Sequence, residues 1–147
     1  MLKLHEGDGE YCVLFDVHDD IVSLDHPVAP TAARFFQVKT KTSGNWTAHS
    51  ITTGNKSSTG EPLPSFLGKL YKHRLKFEIA VDRLTFVSNG RFNVDMADGS
   101  DSREKESIRV SDLSAAVITK IQIALTAEHS LPNFPTGLDR PTLKQRR

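Results

Sequence analysis

The sequence predicts an α/β domain: a three-strand meander, then a helix, a strand and a second helix. Three observations lead there. Short runs rich in Val, Ile and Phe crowd residues 11–39, and such runs build strands. Leu67, Leu70, Tyr71 and Leu75 then recur at helical spacing. A strand-like run, Leu84 to Val87, separates that helix from a second periodic stretch that ends near His129. A length of 147 residues suits one domain, and such a chain can bury a core without staples.

Taken in order, the apolar run Tyr11 to Val17 is the first strand and Ile21 to Leu24 the second. The three residues between them, His18-Asp19-Asp20, suit a tight hairpin. Pro27 and Pro30 mark a loop before the third strand, Ala33 to Lys39. Thr40 to Pro64 is polar and carries three glycines, so it reads as one long loop around Trp46. Ser65 offers an N-cap for the first helix. Phe92-Asn93-Val94 is a short strand or turn, and Asp98 to Glu106 a charged surface loop. Ser111 is the expected cap of the second helix, whose buried stripe is Leu113, Val117, Ile121 and Ala124. The expected division is a domain over residues 1–131, shortened at its N-terminus, and a polar tail or linker over 132–147. Leu2 and Leu4 before Gly7-Asp8-Gly9 look like the last turn of a largely missing helix.

Composition narrows the function classes. The net charge is +1, so affinity for nucleic acid must come from local placement of cations, not from a global field. A single cysteine, Cys12, excludes an intramolecular disulfide and argues against a zinc site with soft ligands; it reads as a small core residue. No stretch approaches a membrane span, and the N-terminus lacks a signal-peptide layout, so a cytoplasmic location without membrane contact is expected. No Gly-rich loop cradles phosphate, which argues against ATP hydrolysis.

The chemistry concentrates on the third strand. Alternation puts Phe36 and Val38 on one face, where they are expected to anchor the core, and Phe35, Gln37 and Lys39 on the other. An amide and an ammonium on a strand built for burial need partners. A meander lays the start of strand two beside the end of strand three, which brings Asp19 and Asp20 toward Lys39. A carboxylate and an amide oxygen are hard ligands that suit Mg²⁺ (or Mn²⁺). A neighbouring lysine suits the charge that builds up in phosphodiester hydrolysis. The plainer alternatives are a solvated Asp-Asp turn and a surface Gln-x-Lys.

Asp19-Asp20-Ile21-Val22 followed by Phe36-Gln37-Val38-Lys39-Thr40-Lys41 resembles the D…QxK form of the PD-(D/E)XK nuclease superfamily. With Val17-His18, Ser23-Leu24-Asp25, Trp46-Thr47, Ser65 to Tyr71 and Phe86 to Asn89, the resemblance narrows. It points to the double-stranded-DNA endonuclease domain of CD-NTase-associated bacterial antiphage effectors, over roughly residues 10 to 130. The resemblance implies a restriction-endonuclease-like core. It implies Asp20 as metal ligand and catalytic residue (Asp19 is the rival ligand), Gln37 in the slot usually held by Asp or Glu, and Lys39 as the superfamily lysine. Lys41, of the same strand parity, would meet a phosphate. The resemblance further implies a homo-oligomer, since each site cuts one strand. Control would come from a cyclic-oligonucleotide sensor domain or an ATPase partner outside this chain. The superfamily core opens with a helix that often bears another acidic residue; Glu6 and Glu10 are poor substitutes by position. The alternative is therefore a truncated, inactive homologue that acts as a DNA-binding or protein-interaction module.

The remaining candidates have bland readings beside the sharp ones. Lys69, Lys72, His73, Arg74 and Lys76 crowd one helix, and Lys69 and Lys72 are candidate phosphate contacts, but the cluster spans more than one face and equally suits a solvated basic helix. Trp46 either stacks on a base or pins the loop to the core, the second being preferred. His18 and His26 near the carboxylates are more simply incidental than ligands. Asn89-Gly90 reads as a turn.

Overall fold

The computed structural model describes residues 11–15, 21–77, 80–132 and 142–145. Its strands are β1 (Cys12–Phe15), β2 (Ile21–Leu24), β3 (Ala32–Lys39), β4 (Ala80–Ser88), β5 (Ser107–Arg109) and β6 (Thr142–Gln145). Its helices are α1 (Ala48–Thr52), α2 (Phe66–Lys76) and α3 (Ala115–His129). The strands form one mixed sheet in the order β1-β2-β3-β4-β6-β5. The first three make the expected antiparallel meander. The chain then crosses over through α2, so that β4 lies parallel to β3 and β6 parallel to β4. A mixed sheet with a helical crossover is an α/β architecture.

The face of β3 that carries Gln37 is the one turned toward the helices. Phe35 is 2% exposed and stacks on His73 of α2, with ring centroids 4.3 Å apart. Ala33 is buried beside it, whereas Phe36 and Val38 are only half-buried. The expected anchors of the strand are thus on the wrong parity. Both faces of β3 are apolar enough to be buried, and the packing of α2 decides between them. Register carries the choice across the sheet. Phe35 and Gln37 pair with Leu84 and Phe86, and Phe86 with Leu143, and all of these are buried. The opposite face ends at Phe15 on β1, which is 69% exposed.

Several elements differ from the sequence reading for local reasons. The long polar stretch before α2 contains α1, whose Thr47 and Ser50 satisfy each other's backbone N–H groups in a capping box; Ile51 buries its inner side. Ser65 caps α2 as expected, accepting from Gly68 N at 2.9 Å. Leu75, expected on the buried stripe, is exposed, and His73 is buried in its place. The cap of α3 is Ser114, not Ser111. Ser111 lies in a short 3₁₀ turn, closed by Arg109 N donating to Asp112 Oδ2, and the helix begins only after Leu113 has been buried. On α3 the buried stripe is Val117, Ile121 and Leu125, with Ala124 half-buried. Residues 142–145, read as part of a polar tail, form a strand inserted between β4 and β5. Ser107-Ile108-Arg109 is a three-residue strand whose single apolar side chain leaves no period to detect.

Candidate active site

The C-terminal ends of the parallel strands form one edge of the sheet, where Lys39 is aligned with Ser88 and Ser88 with Gln145. Open α/β sheets expose their chemistry at such edges. Gln37 sits one step inside, 2% exposed, and its Oε1 has no hydrogen-bond partner among the described residues. A buried amide oxygen without a donor costs about 1–3 kcal/mol, so this atom is open to a partner that the described residues do not supply. Lys39 shares the parity of Gln37, ends β3 and is half-buried. Thr85 Oγ1, on the other face of β4, is also buried without a partner among the described residues.

Beyond Lys39 the chain is held by side chains. Lys41 N donates to Asn89 Oδ1 at 2.8 Å, and Asn89 Nδ2 donates back to Lys41 O at 3.2 Å. The Lys41 ammonium lies 4.3 Å from the centroid of the Trp46 ring, a cation–π distance. Trp46 itself is 5% exposed and meets Phe66 and Phe86 edge-on. Its Nε1 donates to Ser88 Oγ at 2.7 Å. Trp46 therefore pins the loop to the core, as preferred, and is not available to stack on a base.

The structure brings Gln37, Lys39 and Lys41 to one strand end. Lys69 and Lys72 are elsewhere, exposed on α2 beside the buried Leu67, Leu70 and Tyr71. Asp19, Asp20, His18, Glu6 and Glu10 lie outside the described residues. His26 is a turn residue: its Nδ1 accepts from Val28 N and Ala29 N at 3.2 and 3.1 Å. Among the described residues no three His, Cys, Asp or Glu gather as a metal cluster, and no helix is long and apolar enough to cross a membrane. The residue that sequence reading passed over is Asn89. Its dipeptide with Gly90 is a common turn signal, and nothing in it shows that the amide reaches across to Lys41.

Comparison with known protein families decides what this strand end belongs to. A family model described as "Cap4, dsDNA endonuclease domain" matches residues 1–143. The chain belongs to that family. No curated protein and no solved structure matches it. The Cap4 nuclease match spans Gln37, Lys39, Lys41, Trp46 and Asn89, so the arrangement above lies wholly within the endonuclease domain. The mixed sheet and its flanking helices fit an α/β nuclease-like fold.

Proposed function

We propose that this chain is a metal-dependent endonuclease domain with a PD-(D/E)XK-like core. It hydrolyses phosphodiester bonds in double-stranded DNA, in the cytoplasm and in an antiphage role. The observation that carries this reading is the buried Oε1 of Gln37, without a partner among the described residues, two residues from Lys39, in a chain of a double-stranded-DNA endonuclease family. An acceptor-only oxygen suits a hard cation. A bound Mg²⁺ (or Mn²⁺) supplies charge that polarises the phosphate and lowers the pKa of water.

The chain's own residues divide the remaining work. Gln37 would hold the ion through Oε1, with Asp20, or its neighbour Asp19, as the carboxylate partner. Ile21, which follows Asp20 in the sequence, is paired with Phe36, which precedes Gln37. The Lys39 ammonium orients the attacking water and offsets the negative charge that grows on the phosphoryl oxygens. Lys41 takes a backbone phosphate, and Lys69 and Lys72, exposed on α2, are separate candidate phosphate contacts. One such site cuts one strand, so a second copy of the chain is the partner needed for a double-strand break. The activating signal then arrives through a cyclic-oligonucleotide sensor domain or an ATPase partner.

Plasmid cleavage tests the reading. Supercoiled DNA incubated with the chain and Mg²⁺ or Mn²⁺ should be nicked and then linearised. EDTA should stop this, and Lys39→Ala should slow it by orders of magnitude. A folded chain that leaves the plasmid intact with either metal, at protein concentrations that favour a second copy, would contradict the proposal.

A further inference from the structure

We propose that Asn89 is a positioning residue that holds Lys41 ready for a DNA phosphate; this rests on the reading above in taking DNA as the ligand. The β3–β4 ladder ends at Lys39 and Ser88. Past that point Asn89 replaces it, since its amide accepts from Lys41 N and donates to Lys41 O. One side chain thereby reproduces the donor and the acceptor of a backbone pair where the backbone pair has stopped. Asn89 is itself exposed, so its own burial does not compel these bonds.

The far end of Lys41 is held as well. Its ammonium lies over Trp46, and Trp46 is fixed through Ser88 Oγ, which also accepts from Gly90 N at 3.0 Å and donates to Asn89 Oδ1 at 3.4 Å. A Cβ at Gly90 would stand 2.9 Å from Trp46 Nε1 and 3.1 Å from Lys41 Cβ, so the close approach needs glycine there. Asn89, Ser88 and Trp46 thus brace Lys41 at both ends. A lysine held in this way loses less freedom on meeting a phosphate than a free one. Lys41 stands two residues beyond Lys39, past the end of β3.

Binding of a short DNA duplex, measured in EDTA over a range of salt, tests the inference. The proteins are the unaltered chain, Lys41→Ala, Asn89→Ala and the double variant. Lys41→Ala should weaken binding about three- to ten-fold and lower the slope of log K on log salt by about one. Asn89→Ala should weaken it about two- to five-fold, and should do nothing further in the Lys41→Ala background. Equal losses in both backgrounds, or no loss in either, would overturn the proposal, as would an unaltered chain that does not bind the duplex. Should Asn89→Ala fail to fold by circular dichroism, Asn89→Ser repeats the cycle. Plasmid cleavage with Mg²⁺, run in parallel, separates the two readings. Coupled binding without cutting keeps Asn89 as a positioning residue and removes the endonuclease activity.

Discussion

At the scale of single residues, the proposed role of Gln37 sets stability against function. It is buried on the sheet face that also carries Phe35, Leu84 and Phe86, and its oxygen has no donor among the described residues. Gln37→Met keeps the length of the side chain and removes the unpaired acceptor. It should stabilise the fold by about 1 kcal/mol, a rise in Tm of about 2–4 °C for a chain of this size, while DNA cutting is lost. A thermal melt and the plasmid assay read both effects. If melting temperature and cutting fall together, Gln37 is only a packing residue. Lys39 has no such conflict. Lys39→Ala should lower the cleavage rate by about 10²–10³ or more, the range for losing a group that meets transition-state charge. Duplex binding in EDTA should change only a few-fold.

At the scale of elements, α2 is held by the end of α3. Glu128 Oε1 accepts from Ser65 N at 3.0 Å, and Oε2 accepts from Ser65 Oγ at 2.6 Å. His129 Nε2 lies 3.0 Å from Gly68 O. A carboxylate at a helix N-terminus also complements the helix dipole. The seat of that carboxylate is Gly68, where a Cβ would run into it. Glycine is otherwise a poor choice inside a helix, by about 1 kcal/mol relative to alanine. Gly68→Ala alone should therefore give little or no gain, because the new methyl displaces Glu128. In a Glu128→Ala background the same change should add about 1 kcal/mol. Urea denaturation of the four proteins measures this, and an equal gain in both backgrounds would show that the clash is imaginary.

At the scale of the whole molecule, the sheet is completed by residues far apart in sequence. β6 joins β5 to β4, and its Leu143 is buried against the same face as Phe86. Leu143→Ala should cost about 2–5 kcal/mol, as truncation of a core leucine does, and urea denaturation reads it directly. A small shift would mean that the sheet holds without β6. Acid stability belongs to the whole chain too. Hydrogen bonds from Thr31 and Ala32 hold the Asp25 carboxyl at about 2 instead of its ordinary 3.8, which braces the β2–β3 turn. Arg103 does the same for Asp101, also to about 2. These groups favour the folded chain as carboxylates. Their stabilisation is therefore complete above the ordinary value and drains away as the pH falls from about 4 to about 2. Asp25→Asn should flatten the loss of stability across that window, and an unchanged acid titration would remove Asp25 from the account.

The meander, the helix capped by Ser65, β4 and the α3 helix were legible in the sequence, because each has a period or a cap that acts locally. The Asp-Asp and Gln-x-Lys pattern with its Trp46 context was enough to point at the endonuclease family. What remained illegible depends on distant partners. Alternation separated Phe35 and Gln37 from Phe36 and Val38, but only the seating of α2 on Phe35 chose which pair is buried, since both faces of β3 carry apolar side chains. Thr142–Gln145 has no strand signal of its own; it is a strand because β4 and β5 offer it edges. Asn89 was a turn residue until the sheet brought Lys41 within hydrogen-bond reach. The sequence alone determined which groups are candidates for the chemistry, because residue type and spacing are local properties. Tertiary structure alone decided which of those groups are buried, unpartnered or braced, because those properties depend on what packs against them.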